Sequence, residues 1–395
     1  MSDPSIVGAE RRPPTVLQVL PALEAGGVER GTIDVALALA GAGWRSLVAS
    51  AGGPMVYELD RAGIAHVVLP LKRRNPIAIR ANADRLTALI AAEDVAIVHA
   101  RSRAPAWSAL YAARRTGRPL VTTFHGTYNF GNRLKQRYNS VMAKGERVIA
   151  ISHFIADHVR AHYGVGEDRL RVIPRGIDLE RFDPARVSAE RLVQLAGRWR
   201  LPDGMPVVML PGRLTRWKGH AVLIEALARL GRRDLRCLLV GAEQESHGYR
   251  EELERLITRH DLFEVVHIVE HCRDMAAAYM LADVVVSASL DPEAFGRVVV
   301  EAQAMGRPTI ATDHGGARET LLPGETGFLV PPGDPEALAA ALDRAIALDA
   351  SAREALAARA IPRIRAGFSK AAMCARTLAV YDEVLGAGAF VRAAQ

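Results

Sequence analysis

The chain has 395 residues, 49% of them hydrophobic and 24% charged, and carries a net charge of +7. That length suits two domains of roughly 150–200 residues each better than one core, and no apolar run approaches the ~18 residues a membrane span needs. Three cysteines, Cys237, Cys272 and Cys374, show no metal-ligand spacing and argue for a reducing, cytoplasmic setting without a disulfide framework.

The amino-terminal "MSDPSIVGAERRPP" reads as a polar, disordered lead-in without the apolar core of a secretion signal. From "TVLQVL" onward, short β-branched runs alternate with helical patterns. "TVLQVL" passes through a glycine pair into "VERGTIDVALALAGAG", and "RSLVAS", "AHVVLPL", "VAIVHARS", "PLVTTFHG" and "RVIAIS" come next as strands. After "RVIPRGIDLERFDP" and a helix-prone stretch the series restarts with "PVVMLPGR", "LRCLLVG", "FEVVHIVE", "DVVVSAS", "PTIAT" and "GFLVPP". Strand–helix repetition of this kind gives parallel sheets covered on both faces. It predicts two doubly wound α/β domains, residues 1–190 and 191–370, with a last helix at about 371–390 packing back on the first.

Charge is divided unevenly between the halves. Residues 1–200 hold 29 Lys+Arg against 18 Asp+Glu, whereas residues 201–395 hold 22 against 26. The basic first half either faces an acidic partner or is simply well solvated. Its basic runs lack the interleaved aromatic platforms of a nucleic-acid binder, which argues against nucleic acid as a partner.

Open parallel sheets bind ligands beyond the carboxyl ends of their strands, so strand-to-helix turns are where chemistry is sought. "PGRLTRWKGH" places Arg213 and Lys218 just ahead of a helix, where free N–H groups and the helix dipole already favour an anion such as a diphosphate. "EAGGVERG" puts Gly26 and Gly27 at another helix start, open to close backbone approach, although neither G-x-G-x-x-G nor a P-loop is present. "LDPEAFGRVVVEAQAMGRPTIAT" carries Glu293 in a loop and Glu301 inside a helix running from about Gly296 to Met305, so the two acids need not do the same job. Glu301 either faces solvent or accepts from a ligand hydroxyl; a vicinal ribose diol would suit it. "TFHGTYN" supplies His125 at a strand end.

Together with "VIAIS", "RVIPRGID", "DHGGARE" and "GETGFLVPPGDPEALA", these segments resemble, in order and over almost the whole chain, the retaining glycosyltransferases of family 4. The resemblance implies the GT-B fold, two Rossmann-like domains facing a central cleft. It implies that Arg213 and Lys218 bind the diphosphate of a nucleotide-sugar donor, Glu301 the ribose, and Glu293 with the backbone of Phe295 and Gly296 the donor sugar. Gly26 and Gly27 would approach the donor, and His125 would sit near the transferred sugar. Catalysis would then rest on His125, Glu293, Arg213 and Lys218, with no cofactor and no metal. Ala294, where the family often has Gly or Pro, and "AQAMG" in place of "A-x-A-[CS]-G" are departures that bear on donor choice.

For the acceptor, "LKRRNP", "HARSRAP" and "NRLKQRYNSVMAKGER" in the first half suit a phosphorylated glycan or lipid-linked intermediate of the cell envelope, such as lipopolysaccharide, at an anionic inner membrane face. A small soluble metabolite is the alternative acceptor. A non-catalytic sugar-nucleotide-binding protein is an alternative of another class; it should have lost one of the contacts above, all of which this chain retains.

Overall fold

The computed structural model describes residues 13–24, 26–128, 131–242, 248–270 and 272–386. The lead-in expected at the amino terminus lies, up to residue 12, outside them. The chain divides into two compact units: Met1–Ile151 with Ile155–Ile173 and Cys374–Gln395, and Ser152–Phe154 with Pro174–Met373.

Among its described residues the first unit holds β1 (Thr15–Val19), β2 (Arg45–Ser50), β3 (Ala65–Val68), β4 (Val95–Ala100), β5 (Leu120–Phe124), β6 (Arg147–Ala150) and β7 (Leu170–Val172), in the order β3-β2-β1-β4-β5-β6-β7. Every neighbouring pair is parallel. β1, "TVLQV", is buried along its whole length, which is how a central parallel strand covered on both faces reads. The second unit holds β8 (Val207–Pro211), β9 (Arg236–Val240), β10 (Val266–Val269), β11 (Val284–Ser287), β12 (Thr309–Thr312) and β13 (Phe328–Val330), again all parallel, in the order β10-β9-β8-β11-β12-β13. Its core joins Val208, Leu210, Ile224, Leu227, Leu239 and Val286 with Leu338 and Leu342 of the helix Pro335–Ile346. Strand order reverses between β1 and β4 in one sheet and between β8 and β11 in the other. Those two switch points are where a doubly wound sheet opens a crevice for a ligand.

The two doubly wound domains expected from the alternating pattern are present. The strand β7 was not anticipated, because three residues, "LRV", give too short a run to stand apart from the connection after it. The expected boundary at 190/191 moves to 173/174, since the segment beyond β7 is tied into the second unit. Ile177 bridges Ser369, Lys370 Nζ donates to Asp178 at 2.7 Å, and Arg191 grips Asp274 through two hydrogen bonds of 2.8 and 2.6 Å. The last helix is Lys370–Leu385. Its part within the first unit places Tyr381 Oη 2.6 Å from His99 Nδ1 and pairs Glu383 with Arg147 and Arg171.

Candidate active site at the switch point of the second unit

The loop after β8 crosses the carboxyl edge of the sheet and ends in a single 3-10 turn, Arg216–Lys218, before the helix His220–Leu230. Gly219 joins the two at φ 73°, and a Cβ there would lie 1.9 Å from the carbonyl oxygen of Ala288. Only glycine lets the loop lie so close to the end of β11. Leu290 N–H donates to the Trp217 carbonyl at 2.7 Å, which fixes the loops after β8 and β11 against each other.

Lys218 and Glu293, 75 residues apart, meet in this position: Lys218 Nζ donates to Glu293 Oε1 at 2.7 Å, both side chains being largely buried. Ser289 Oγ donates to the same oxygen at 2.5 Å and Ser287 Oγ approaches it at 3.4 Å. Burial alone would raise the carboxyl group's pKa. The Lys218 charge and the hydrogen bonds from Lys218, Ser289 and Ser287 outweigh it and hold Glu293 below the ordinary carboxylate value. All three donors share Oε1, and Oε2 accepts no hydrogen bond from the described residues, so half of this carboxylate is available to a ligand hydroxyl.

The loop carrying Glu293 is cradled by Gly315 and Gly316. Gly315 sits at φ 58°, where a Cβ would strike the Glu293 carbonyl oxygen at 2.5 Å; at Gly316 it would lie 2.6 Å from Phe295 Cα. Gly316 N–H donates to the Glu293 carbonyl at 2.8 Å, while Thr312 Oγ1 and His314 Nε2 each donate to the Ser289 carbonyl at 2.9 Å. Sequence reading gave no role to Ser287, Ser289, His314, Gly315 or Gly316. The signal was a glycine pair two residues beyond a buried strand, which marks a place where backbone must approach backbone.

Glu301 stands apart from this pair, on the helix Arg297–Ala304, whose N-cap is Gly296 at φ 81°. It is buried rather than facing solvent: Tyr279 Oη donates to Oε2 at 2.9 Å and Arg297 Nη2 to Oε1 at 2.8 Å. Each oxygen keeps a lone pair for a further donor. Phe295 is buried against Phe368, ring centroids 5.8 Å apart, so its side chain is an anchor and only its backbone faces the loop. Arg213 lies exposed on the Lys218 loop. His220 opens the next helix fully buried beside Tyr249, and burial, with the nearby Lys218 charge, lowers its pKa to about 4.

The remaining expected residues belong to the first unit. Gly27 begins the helix Gly27–Gly41 and Gly26 is its extended N-cap; residue 25 lies outside the described residues. His125 is half-buried immediately beyond β5, where Phe124 stacks on Tyr128 at 5.0 Å. Among the described residues no three His, Cys, Asp or Glu side chains converge as a metal site, and no helix is long and apolar enough to cross a membrane.

Comparison with known proteins bears on the family and the fold. Residues 25–181 match the model of Glycosyltransferase Family 4, and residues 195–363 that of Glycosyl transferases group 1. A D-inositol 3-phosphate glycosyltransferase of Xylanimonas cellulosilytica is 36% identical over 62% of this chain and 58% of its own length, and one of Catenulispora acidiphila is 31% identical over 75% and 74%. The chain thus spans about three fifths of the Xylanimonas relative and of a Nocardiopsis dassonvillei relative, and three quarters of the Catenulispora one. Among solved structures, a glycosyltransferase from Rickettsia africae superposes with a TM-score of 0.89 at 39% identity, covering 95% of this chain and 100% of that one. Anabaena Alr3699/HepE, in complex with UDP and glucose, superposes at 0.81 and 25% identity over 93% and 99%.

Proposed function

The chain belongs to the family 4 glycosyltransferases, and on that footing we propose that it moves a sugar from a nucleotide diphosphate sugar to a hydroxyl of a small soluble acceptor. The observation that carries the reading is the Lys218–Glu293 pair at the β8/β11 switch point, a cation and a carboxylate joined through one oxygen. In this reading Lys218 and Arg213 take the diphosphate, Glu293 Oε2 accepts from a hydroxyl of the donor sugar, and Glu301 accepts from the ribose. As the bond to the diphosphate breaks, charge builds on the leaving oxygen, and fixed cations stabilise that charge more than they stabilise the bound ground state. Transfer with retention breaks the bond from the sugar to the diphosphate as the acceptor oxygen bonds on the same face, the leaving phosphate taking the acceptor's proton and no metal or nucleophilic carboxylate taking part. Gly26, Gly27 and His125 keep the donor-side roles that family resemblance gives them.

UDP is the first nucleotide to test, on the strength of the Anabaena neighbour. The relatives named for D-inositol 3-phosphate support a small polyol phosphate as acceptor in preference to an envelope glycan. Peripheral membrane association is a second, weaker element, favoured by Ile77 and Leu134, exposed to 84% and 77% beside Arg73, Arg74 and Arg80 and beside Arg133, Lys135 and Arg137. The test compares UDP, GDP and ADP by thermal shift, since a ligand that binds only the native state raises its stability, and then assays transfer from the matching glucose donor. One nucleoside diphosphate should raise the melting temperature clearly above the others. No shift with any of the three would end the donor-site reading.

A further inference from the structure

The first unit has its own switch point, between β1 and β4, and Arg101 stands there. It is the first residue past β4, its N–H donates to the carbonyl of Val19 at the end of β1 at 2.9 Å, and the residue is only 4% exposed. Among the described residues its guanidinium makes no hydrogen bond or ion pair, and its Nε is fully enclosed without a partner. It lies against the helix Gly27–Gly41, close enough that a Cβ on Gly31 would sit 3.0 Å from Nη2. Burial is the main influence on this group and works against its charge; Tyr381, Cys374 and Asp34 offset it only through space.

A guanidinium taken out of water without a matched carboxylate costs several kcal/mol. Here it is also set beside the first turns of the helix Gly27–Gly41, whose amino-terminal end carries partial positive charge. Two positive features packed against each other repel, and the buried Asp34 carboxylate offsets this only through space, so an anion would add to the balance at a reversal of strand order, where doubly wound sheets bind ligands. Arginine also matches the geometry of a phosphate by donating two parallel hydrogen bonds.

We propose that Arg101, with the amino-terminal turns of the helix Gly27–Gly41, binds the phosphate of a phosphorylated acceptor, and so selects phosphorylated over plain polyols. This rests on the small-acceptor reading above but not on the donor site, because every group involved lies in the first unit. Arg101 is a specificity residue rather than a catalytic one: it holds the end of the acceptor that does not react.

The test uses the full chain saturated with UDP, so that the second unit's cations are already occupied, and titrates inorganic phosphate by thermal shift with acetate as control. Wild type should be stabilised by millimolar phosphate and not by acetate. Arg101→Gln should require at least tenfold more phosphate, and Arg101→Lys should fall between them. Gly31→Ala, which crowds Nη2 while improving helix propensity, should weaken phosphate binding without lowering the melting temperature; it decides the matter if Arg101→Gln does not fold. In transfer assays the preference for D-inositol 3-phosphate over inositol should collapse in Arg101→Gln and Gly31→Ala. An unresponsive wild type, or phosphate titrations of both variants that match wild type, would overturn the proposal. The UDP shift itself should be the same in all variants; its absence would count against the donor site alone, and phosphate is then titrated on the nucleotide-free protein.

Discussion

The two switch points have the same topology and opposite electrostatics. At β8/β11 the buried and half-buried cations have carboxylate partners in place, Lys218 with Glu293 and Arg297 with Glu301. At β1/β4, Arg101 has no carboxylate in hydrogen-bond contact among the described residues, and Asp34 acts on it only through space. One switch point thus pairs its cations with carboxylates of the chain, whereas the other leaves a guanidinium without a directly bonded one. The largest predicted effect breaks the paired side. Lys218→Ala removes a cation from the diphosphate position and leaves Glu293 buried beside two hydroxyls, so turnover should fall by about 10²–10³. Because the pair acts as a unit, Lys218→Ala/Glu293→Gln should lose far less than the sum of the two single losses. Additive losses in kcat would mean that the two residues work separately.

The same side predicts an acid-sensitive fold. His220 has a pKa of about 4 in the folded protein against an ordinary 6.5, so the unfolded chain takes up a proton that the folded one refuses. Its contribution to stability is therefore complete above pH 6.5 and declines as pH falls from 6.5 toward 4, by at most about 3 kcal/mol. His99, buried between Tyr381 and Thr123, is lowered in the same direction by burial first and by Arg101 second, so the first unit contributes its own acid sensitivity. Urea unfolding at pH 7.5 and pH 4.5 should show a clearly smaller pH difference for His220→Gln than for wild type, even if the variant is less stable at both. An unchanged pH difference would remove His220 from the account.

A smaller effect divides the two glutamates. Glu301→Ala should weaken bare UDP about tenfold, the loss of one charged hydrogen-bonding partner, whereas Glu293→Ala should leave UDP binding nearly intact and lower transfer. Tyr279→Phe tests whether Glu301 must be oriented: its ring would stay packed against Phe182, and only the hydroxyl that holds Oε2 would go. Calorimetric titration of the three variants with UDP decides, and equal losses for Glu301→Ala and Glu293→Ala would contradict the division of labour.

Much of this was legible in the sequence because parallel strands buried on both faces are nearly continuous apolar runs. "VVMLP", "CLLV" and "VVVS" admit few other readings, and the turns after them locate Arg213, Lys218 and Glu293 at strand ends. The part that was not legible depends on which loops touch. Nothing in the spacing of Lys218 and Glu293 says that they form an ion pair, because their meeting depends on β8 lying beside β11, a non-local pairing. Arg101 was hidden differently. In "HARSRAP" it looks like one surface charge among several, and only burial separates it from Arg103, whose guanidinium rests 4.1 Å over the Tyr128 ring. The boundary was misplaced for a related reason, since the ties of Ile177 and Asp178 to Ser369 and Lys370 span about half the chain and leave no local pattern.

The smallest predicted effect concerns the exposed charges of the first unit, and it tests the contrast between a cation kept for a ligand and cations facing solvent. Several of the exposed ones are already matched: Lys72 pairs with Glu24, Arg115 with Asp84 and Arg118 with Asp94. Such pairs reduce the field available to a membrane, and each remaining basic residue contributes about 1 kcal/mol at most near an anionic surface. Ile77 and Leu134 add exposed apolar area beside basic residues that form no ion pair among the described residues. Binding to vesicles rich in phosphatidylserine should therefore be weak at low salt and largely abolished near 0.15 M, since the attraction is screened over about 10 Å at 0.1 M. Replacing Lys72, Arg73 and Arg74 by serine, or Arg133, Lys135 and Arg137 by serine, should lower vesicle binding a few-fold while leaving transfer to a soluble acceptor unchanged. Arg101→Gln should do the reverse, because a residue 4% exposed has almost no charge to offer a bilayer but can serve a small anion. If the serine variants lose soluble transfer, or if Arg101→Gln leaves the vesicles as readily as they do, then the buried and exposed cations belong to one surface and the contrast between them fails.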